Sequence, residues 1–200
     1  MKSFVKVLAL APAMLVALTA CEAKIDEEVA KERVAAYDAA AVAEKYEEVE
    51  LTLSTKVNKA TGVFGKDGLL EELTEAFKDV NEKETMPAEY GMFTFESFED
   101  LVDQVNSASA STANAKVELN YYSYKSTGLK VVASASAKVE GEGTKASYST
   151  SVTEYVYDDG RIEKADASFK ISMSGKSAGI SVDGTLDVSM KLTTKWTAAK

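Results

Sequence analysis

The chain of 200 residues contains no histidine, one cysteine, two prolines and one tryptophan. Without histidine there is no Ser-His-Asp or Cys-His nucleophile system, no imidazole zinc ligand and no histidine-based pH switch. A single cysteine makes neither an internal disulfide nor a CxxC pair. Positive charge is scarce too: 23 Lys and Arg stand against 32 Asp and Glu, for a net charge of −9 and a pI near 4.7. The lysines are scattered singly, so a phosphate backbone is repelled and no nucleic-acid footprint is presented. The length is that of one ordinary domain, and it is short for a two-domain solute-binding protein.

What is present starts with a leader. Met1-Lys2-Ser3-Phe4-Val5-Lys6 is a positive n-region, and Val7 to Ala20 is an uncharged run rich in Ala, Leu and Val. That is signal-peptide length, below the ~20 residues of a spanning helix. The run ends Leu18-Thr19-Ala20-Cys21, which resembles the lipobox of bacterial lipoprotein precursors. The resemblance implies cleavage before Cys21 and a thioether from Cys21 to diacylglycerol, which would place the protein, lipid-anchored, on the extracytoplasmic face of a cell membrane. The alternative is a free or buried thiol behind an ordinary signal peptide. The expected organisation is a lipoprotein signal peptide at 1–20, a lipidated Cys and short tether at 21–25, and a single α+β domain at 26–200. Loss of Lys2 and Lys6 with the leader takes the charge of the remainder from −9 to −11. Acyl chains rather than charge would then hold the protein to the membrane, at about 0.8 kcal/mol per buried methylene. Residues 22 to 25 reach only on the order of 15 Å, keeping the body close to the bilayer.

The rest of the chain changes period twice. From 26 to about 47 it is Ala-rich and free of Gly and Pro, with Asp26, Glu27 and Glu28 in the first turn, which predicts a helix. Val49, Leu51, Leu53, Thr55 and Val57 alternate with polar residues, a half-buried strand. Gly62, Gly65 and Gly68 punctuate a loop without the spacing of a phosphate-binding loop. Asp67 is placed to cap a second helix, with Leu69, Leu70, Leu73, Ala76, Phe77 and Val80 at helical spacing. Pro87 falls in the following loop. Phe98, Leu101, Val102 and Val105 predict a third helix opened by Ser97, followed by a connector from Asn106 to Asn114. Five strands are then expected at 116–126, 129–140, 144–157, 161–174 and 178–196, separated by glycine-bearing turns. A two-residue turn at Asp159-Gly160 pairs residues whose numbers sum to 319, such as Tyr148 with Ile171 and Thr150 with Phe169, and aligns both apolar faces. The fold class is α+β: a long antiparallel up-and-down sheet, open or curled into a half-barrel, packed against an N-terminal helix and two further helices.

The expected inner face is small: Leu129, Val131, Ala133, Ala135, Ala137 and Val139 on one strand. The N-terminal helix or an apolar ligand must fill the space. In layout, an N-terminal helix and a long antiparallel sheet with helices beneath it, the chain resembles LolA/LppX-like half-barrel lipoproteins, although its six long strands are fewer than theirs. That resemblance implies a lipid or other apolar ligand between sheet and helices but carries over no residue; the small inner face itself points to Ala133, Ala135, Ala137 and Tyr148 as ligand contacts. On the wet face Tyr122, Tyr124, Tyr155 and Tyr157 form two pairs 9 to 10 Å apart, either an aromatic platform for a protein or glycan partner or simply good strand formers. Asp158-Asp159-Gly160 fails the calcium-loop pattern. Glu154 and Glu163 intrude on the inner face near the turn but form no convergent catalytic site. The sequence therefore reads as a non-catalytic lipoprotein without cofactor or metal. It either binds a lipid or other apolar ligand, or has a solid core and acts as a surface interaction or structural lipoprotein. Replacing Cys21 by Ser should abolish lipid modification and release the protein from the membrane fraction; normal retention of that variant would overturn the anchor.

Overall fold

Small and β-branched residues alternating with Ser, Thr and Lys dominate the chain from Tyr46 onward, and most of it is strand. The computed structural model describes residues 23–78, 80–96, 116–125, 127–141, 143–177 and 179–200. The leader, Cys21, the helix expected at Ser97–Val105 and the connector lie outside the described residues. The described strands are β1 (Lys24–Ile25), β2 (Tyr46–Gly62), β3 (Asn81–Pro87), β4 (Lys116–Tyr124), β5 (Gly128–Gly141), β6 (Thr144–Val156), β7 (Ile162–Ser177), β8 (Ile180–Ser181) and β9 (Gly184–Ala198). They form one open antiparallel sheet in the order β1, β4, β5, β6, β7, β9, β2, β3, with β8 pairing the end of β7. The helices are α1 (Glu27–Ala35), α2 (Ala39–Lys45) and the single-turn α3 (Glu71–Glu75), with a 3-10 turn at Ala88–Gly91. The fold is α+β with an open sheet, as expected. The strand from Val49 leaves the up-and-down order, because β2 lies beyond β9 and carries β3 on its far side.

Four local expectations are corrected. The helix expected over 26–47 breaks at Tyr37 and Asp38, because the Asp38 carboxylate accepts from the Ala41 N–H (3.0 Å) and starts α2 afresh. The helix expected from Leu69 to Val80 is regular only over Glu71–Glu75. Asp67 does not cap it: its backbone is left-handed (φ 61°), and its N–H donates to Glu71 Oε2 (2.8 Å). Leu69, Leu70 and Leu73 are 69%, 38% and 37% exposed, so the buried side belongs to Thr74 and Phe77. Strand β3, with Glu82, Lys83 and Glu84, carries no apolar alternation; it is a charged edge strand ending at Pro87, where no further ladder bond is needed. Finally, the strand expected over 178–196 is interrupted before Gly184. There β9 runs so close to β2 that a Cβ on Gly184 would lie 2.5 Å from the Thr61 carbonyl oxygen.

The register of the central hairpin holds: Ala146, Tyr148, Thr150 and Val152 face Met173, Ile171, Phe169 and Ala167. Its turn does not. The Gly160 N–H donates to the Tyr157 carbonyl (3.1 Å) and the Tyr157 N–H to the Arg161 carbonyl (2.8 Å), which makes a loop of three residues closed by Gly160 at φ 88°. Val156 then faces Ile162, while Tyr155 faces Lys164, so Glu163 is an extra residue in β7. That bulge restores the 319 register.

The inner face of the sheet carries two hydrophobic clusters at diagonal corners. One gathers Tyr121, Leu129, Val131 and Val156 beneath Ala30 of α1 and Phe93. The other gathers Leu186 and Val188 beneath Val63 and Phe64. Arg33 ties α1 down by donating to the Gly128 carbonyl and to Ser123 Oγ (both 2.9 Å). Truncating the fully buried Leu129 to Ala should cost about 2–5 kcal/mol in chemical denaturation. Leu69→Ala, in the segment expected to be a buried helix, should change stability by less than about 0.5 kcal/mol.

Candidate functional site

On the inner face the expected ligand residues fall in register. Ala133, Ala135 and Ala137 stand opposite Val152, Thr150 and Tyr148. Ala135 and Ala137 are buried, while Ala133 packs against the first cluster. The Tyr148 ring meets Phe169 edge-on at 5.3 Å. Reading across the strands, Leu53 faces Leu192, Leu192 faces Ala165 and Ala165 faces Glu154. An apolar stripe thus runs between the two clusters from one corner of the sheet to the other. At the β3 edge it opens into a cleft of about 480 Å³ lined by Leu51, Leu53 and Leu192 with Glu82, Lys83 and Glu84. Sequence reasoning missed this corner because β3 gave no strand signal.

Glu154 is the polar group within the stripe. It faces Val131 on one side and Ala165 on the other, and burial pushes its carboxyl up to about 7. Glu163 behaves oppositely, because the bulge turns it to the outer face instead of the inner one. Its Oε2 accepts from Tyr124 Oη (2.8 Å) and from Lys125 Nζ (2.6 Å). Partial burial works against its charge, yet these hydrogen bonds and the charges of Lys125 and Lys164 outweigh it and hold the carboxyl below its ordinary range. Tyr124 is correspondingly raised, by burial first and then by Glu163.

The outer face brings all four expected tyrosines into one patch. The Tyr124 and Tyr155 ring centroids are 5.1 Å apart, closer than the 9 to 10 Å of their strands. Gly128, standing between them, has no side chain to hold the rings apart. Lys130 lies 5.4 Å from the Tyr122 centroid and 5.6 Å from that of Tyr155; Lys164 lies 4.3 Å from Tyr155; Lys125 lies 5.0 Å from Tyr124 and 4.8 Å from Tyr157. These are cation–π contacts, worth about 0.5–1 kcal/mol each at exposed sites. The lysines went unnoticed in the sequence although the register supplies them, since Tyr122 pairs with Lys130 and Tyr155 with Lys164.

At the end of the sheet Arg161 fills an aromatic box, its guanidinium 4.3, 4.9 and 5.4 Å from Tyr46, Tyr157 and Trp196. Asp159 accepts from its Nε at 2.9 Å. This box is occupied by the protein's own cation and clasps β2 and β9 to the turn. Among the described residues no group of three or more His, Cys, Asp or Glu is placed to hold a metal ion, and no helix is long and apolar enough to cross a membrane. The chain matches no family model, no curated protein and no solved structure.

The raised Glu154 carboxyl has a consequence for stability. Folded, it keeps its proton up to about pH 7, whereas unfolded it loses the proton near 4.5. The folded state therefore binds more protons across this window, and stability falls as pH rises through it, by about 3 kcal/mol. Glu154→Gln should flatten the dependence of unfolding free energy between these values and leave the variant more stable than its parent above pH 7. An unchanged slope would count against the buried carboxyl as its source.

Proposed function

We propose that the protein is a membrane-anchored extracytoplasmic lipoprotein that acts without catalysis and binds a lipid or another apolar ligand along the inner face of its sheet. The observation that carries this reading is the apolar stripe between the two clusters. A sheet with a solid core would concentrate its large side chains at the centre. Here, among the described residues, the two clusters sit at diagonal corners, and the stripe between them is built from Ala133, Ala135, Ala165, Ala167 and Val152, with Leu51, Leu53 and Leu192 at its open end. Ligand sites combine apolar walls with a few polar groups that fix orientation. Glu154 within the stripe and Glu82 and Glu84 at its mouth are of that kind.

The reading is tested on a secreted form in which Cys21 is Ser and the leader is an ordinary cleavable one. Native mass spectrometry should show a co-purifying lipid that solvent extraction identifies. A ligand-free protein that also fails to take up an apolar dye would reject the proposal. Ala135→Trp fills the stripe at its β5 end: it should abolish ligand binding with little change in thermal midpoint. A large fall in midpoint would instead mark a solid core that cannot accept the ring.

A further inference from the structure

The outer-face patch lies at the end of the sheet where the chain enters from Cys21. The Ser123 N–H donates to the Ala23 carbonyl (2.8 Å), and Lys24 pairs with Tyr122 in β1 and β4. One residue, Glu22, separates Ala23 from Cys21, so the Cα of the anchoring cysteine can stand no further than about 7 Å along the chain from this backbone. Whatever surface holds the lipid is therefore beside Tyr122 and its neighbours. Side-chain direction settles which face meets it. Lys24 shares the outer face with Tyr122, Lys130, Tyr155 and Lys164, and Tyr124, Lys125 and Tyr157 continue that face to its end.

The chemistry of the patch differs from the rest of the protein. The chain carries −9 overall. The patch carries Lys24, Lys125, Lys130 and Lys164, and its Glu163 carboxylate lies beside Lys164 and is neutralised by Lys125 at 2.6 Å. Asp158 stands at its margin, accepting from the Thr127 hydroxyl (3.3 Å), and Asp166, one step along β7, faces Lys191 on β9. Tyrosine rings with lysine ammoniums laid over them are amphipathic groups suited to the headgroup layer, where the ring meets the apolar boundary and the ammonium meets phosphate.

We propose that the Tyr122–Tyr124–Tyr155–Tyr157 patch with its lysines is a docking surface for anionic phospholipid headgroups of the same membrane to which Cys21 is tied, and that it lays the sheet's outer face against the bilayer. The proposal rests on the lipoprotein reading, because the short tether brings the patch to the membrane. It adds an orientation: the inner face and the β3 edge, with its cleft, then point away from the lipid surface.

The test uses the full-length protein, isolated lipidated from membranes and reconstituted into phosphatidylcholine vesicles with or without phosphatidylglycerol. With Cys21 blocked by lipid, a single introduced cysteine can carry a fluorophore, placed at Thr153 on the patch side of the outer face or at Glu84 on β3, at the mouth of the inner-face cleft. Headgroup spin-labelled lipid should quench the Thr153→Cys label strongly in phosphatidylglycerol vesicles and the Glu84→Cys label weakly. About 1 M NaCl, where the Debye length is about 3 Å, should bring the two labels together without any further substitution. Reversal of Lys125 and Lys164 to Glu should lower the preference for anionic over neutral vesicles by roughly tenfold or more, at fivefold or so per lysine. Equal quenching at both positions in protein that floats with vesicles and carries diacylglycerol by mass would overturn the docking and leave the anchor standing. That outcome would return the patch to a protein or glycan partner. Protein that neither carries lipid on Cys21 nor floats with vesicles would overturn both.

Discussion

One inserted residue organises both faces of this sheet at the end that carries the tyrosine–lysine patch. Glu163 is the extra residue of β7, and without it the alternation along β7 would send Ile162 outward and Glu163 inward. The insertion keeps Ile162 against the first hydrophobic cluster while turning Glu163 to the outer face, where it binds Tyr124 and Lys125. The backbone carbonyls freed by the bulge are not left unsatisfied. The Thr194 hydroxyl lies 2.8 and 2.9 Å from those of Ile162 and Glu163, and the Trp196 indole N–H donates to Ile162 at 3.3 Å. β9 therefore recognises the bulge by side chain rather than by ladder. The Arg161 clasp, two residues earlier, depends on the same turn geometry.

The helices play a smaller part than the Ala-rich N-terminal sequence implies. α1 and α2 are short and separated by a bend, so they cover corners of the sheet rather than its length. Tyr37, at the bend, is pressed against Gly160, where a Cβ would come within 2.8 Å of its ring. Glycine at 160 thus serves two demands at once, a left-handed φ and a close approach. The Tyr37 hydroxyl is buried without a hydrogen-bond partner among the described residues, and burial pushes it up to about 12. The sheet holds itself together chiefly by its ladders and by apolar pairs across strands, and the clusters add covers at two corners.

Strand alternation and turn glycines were enough to read β4 through β7 and most of β9 from the sequence, and numbering across the turn located the hairpin partners. Parity failed at Glu163, because the three-residue turn and the bulge offset one another: together they reverse the facing of Ile162 and Glu163 and leave the 319 pairing beyond them intact. β3 was illegible for a different reason: an edge strand needs no apolar face, and Asn81-Glu82-Lys83-Glu84-Thr85 is the charged composition that blocks further pairing. The break at Asp38 could have been read, since an Asp three residues ahead of a helical N–H is a capping signal, but the continuous alanine run concealed it. For Leu69, Leu70 and Leu73 helical spacing implied burial, yet a five-residue helix has too little length to bury that face. The four tyrosines were legible as outward residues. Their union with Lys125, Lys130 and Lys164 was not, because it requires neighbours from three strands and the missing side chain of Gly128.

The acidity of the chain takes on a direction once charges are placed on the sheet. A uniformly acidic body tethered by a few residues would be pushed from an anionic surface in every orientation, and the tether alone would resist. Here Glu47, Glu48, Glu82 and Glu84 lie on β2 and β3, at the opposite edge from β1, Asp26, Glu27 and Glu28 open α1 at the near edge, and the lysines of the patch gather on the outer face near the entry of the chain. On the proposed anchoring, repulsion at the far edge and attraction at the patch would act as a torque, so the same net charge that opposes adsorption would select an orientation while a short anchor prevents escape. Screening lengths of about 8 Å under physiological salt confine this effect to groups within the first layer of contact. Tyrosine–lysine stacking then has a structural use apart from stability, because it holds the ammoniums flat against the sheet, where a close-lying surface can meet several of them together.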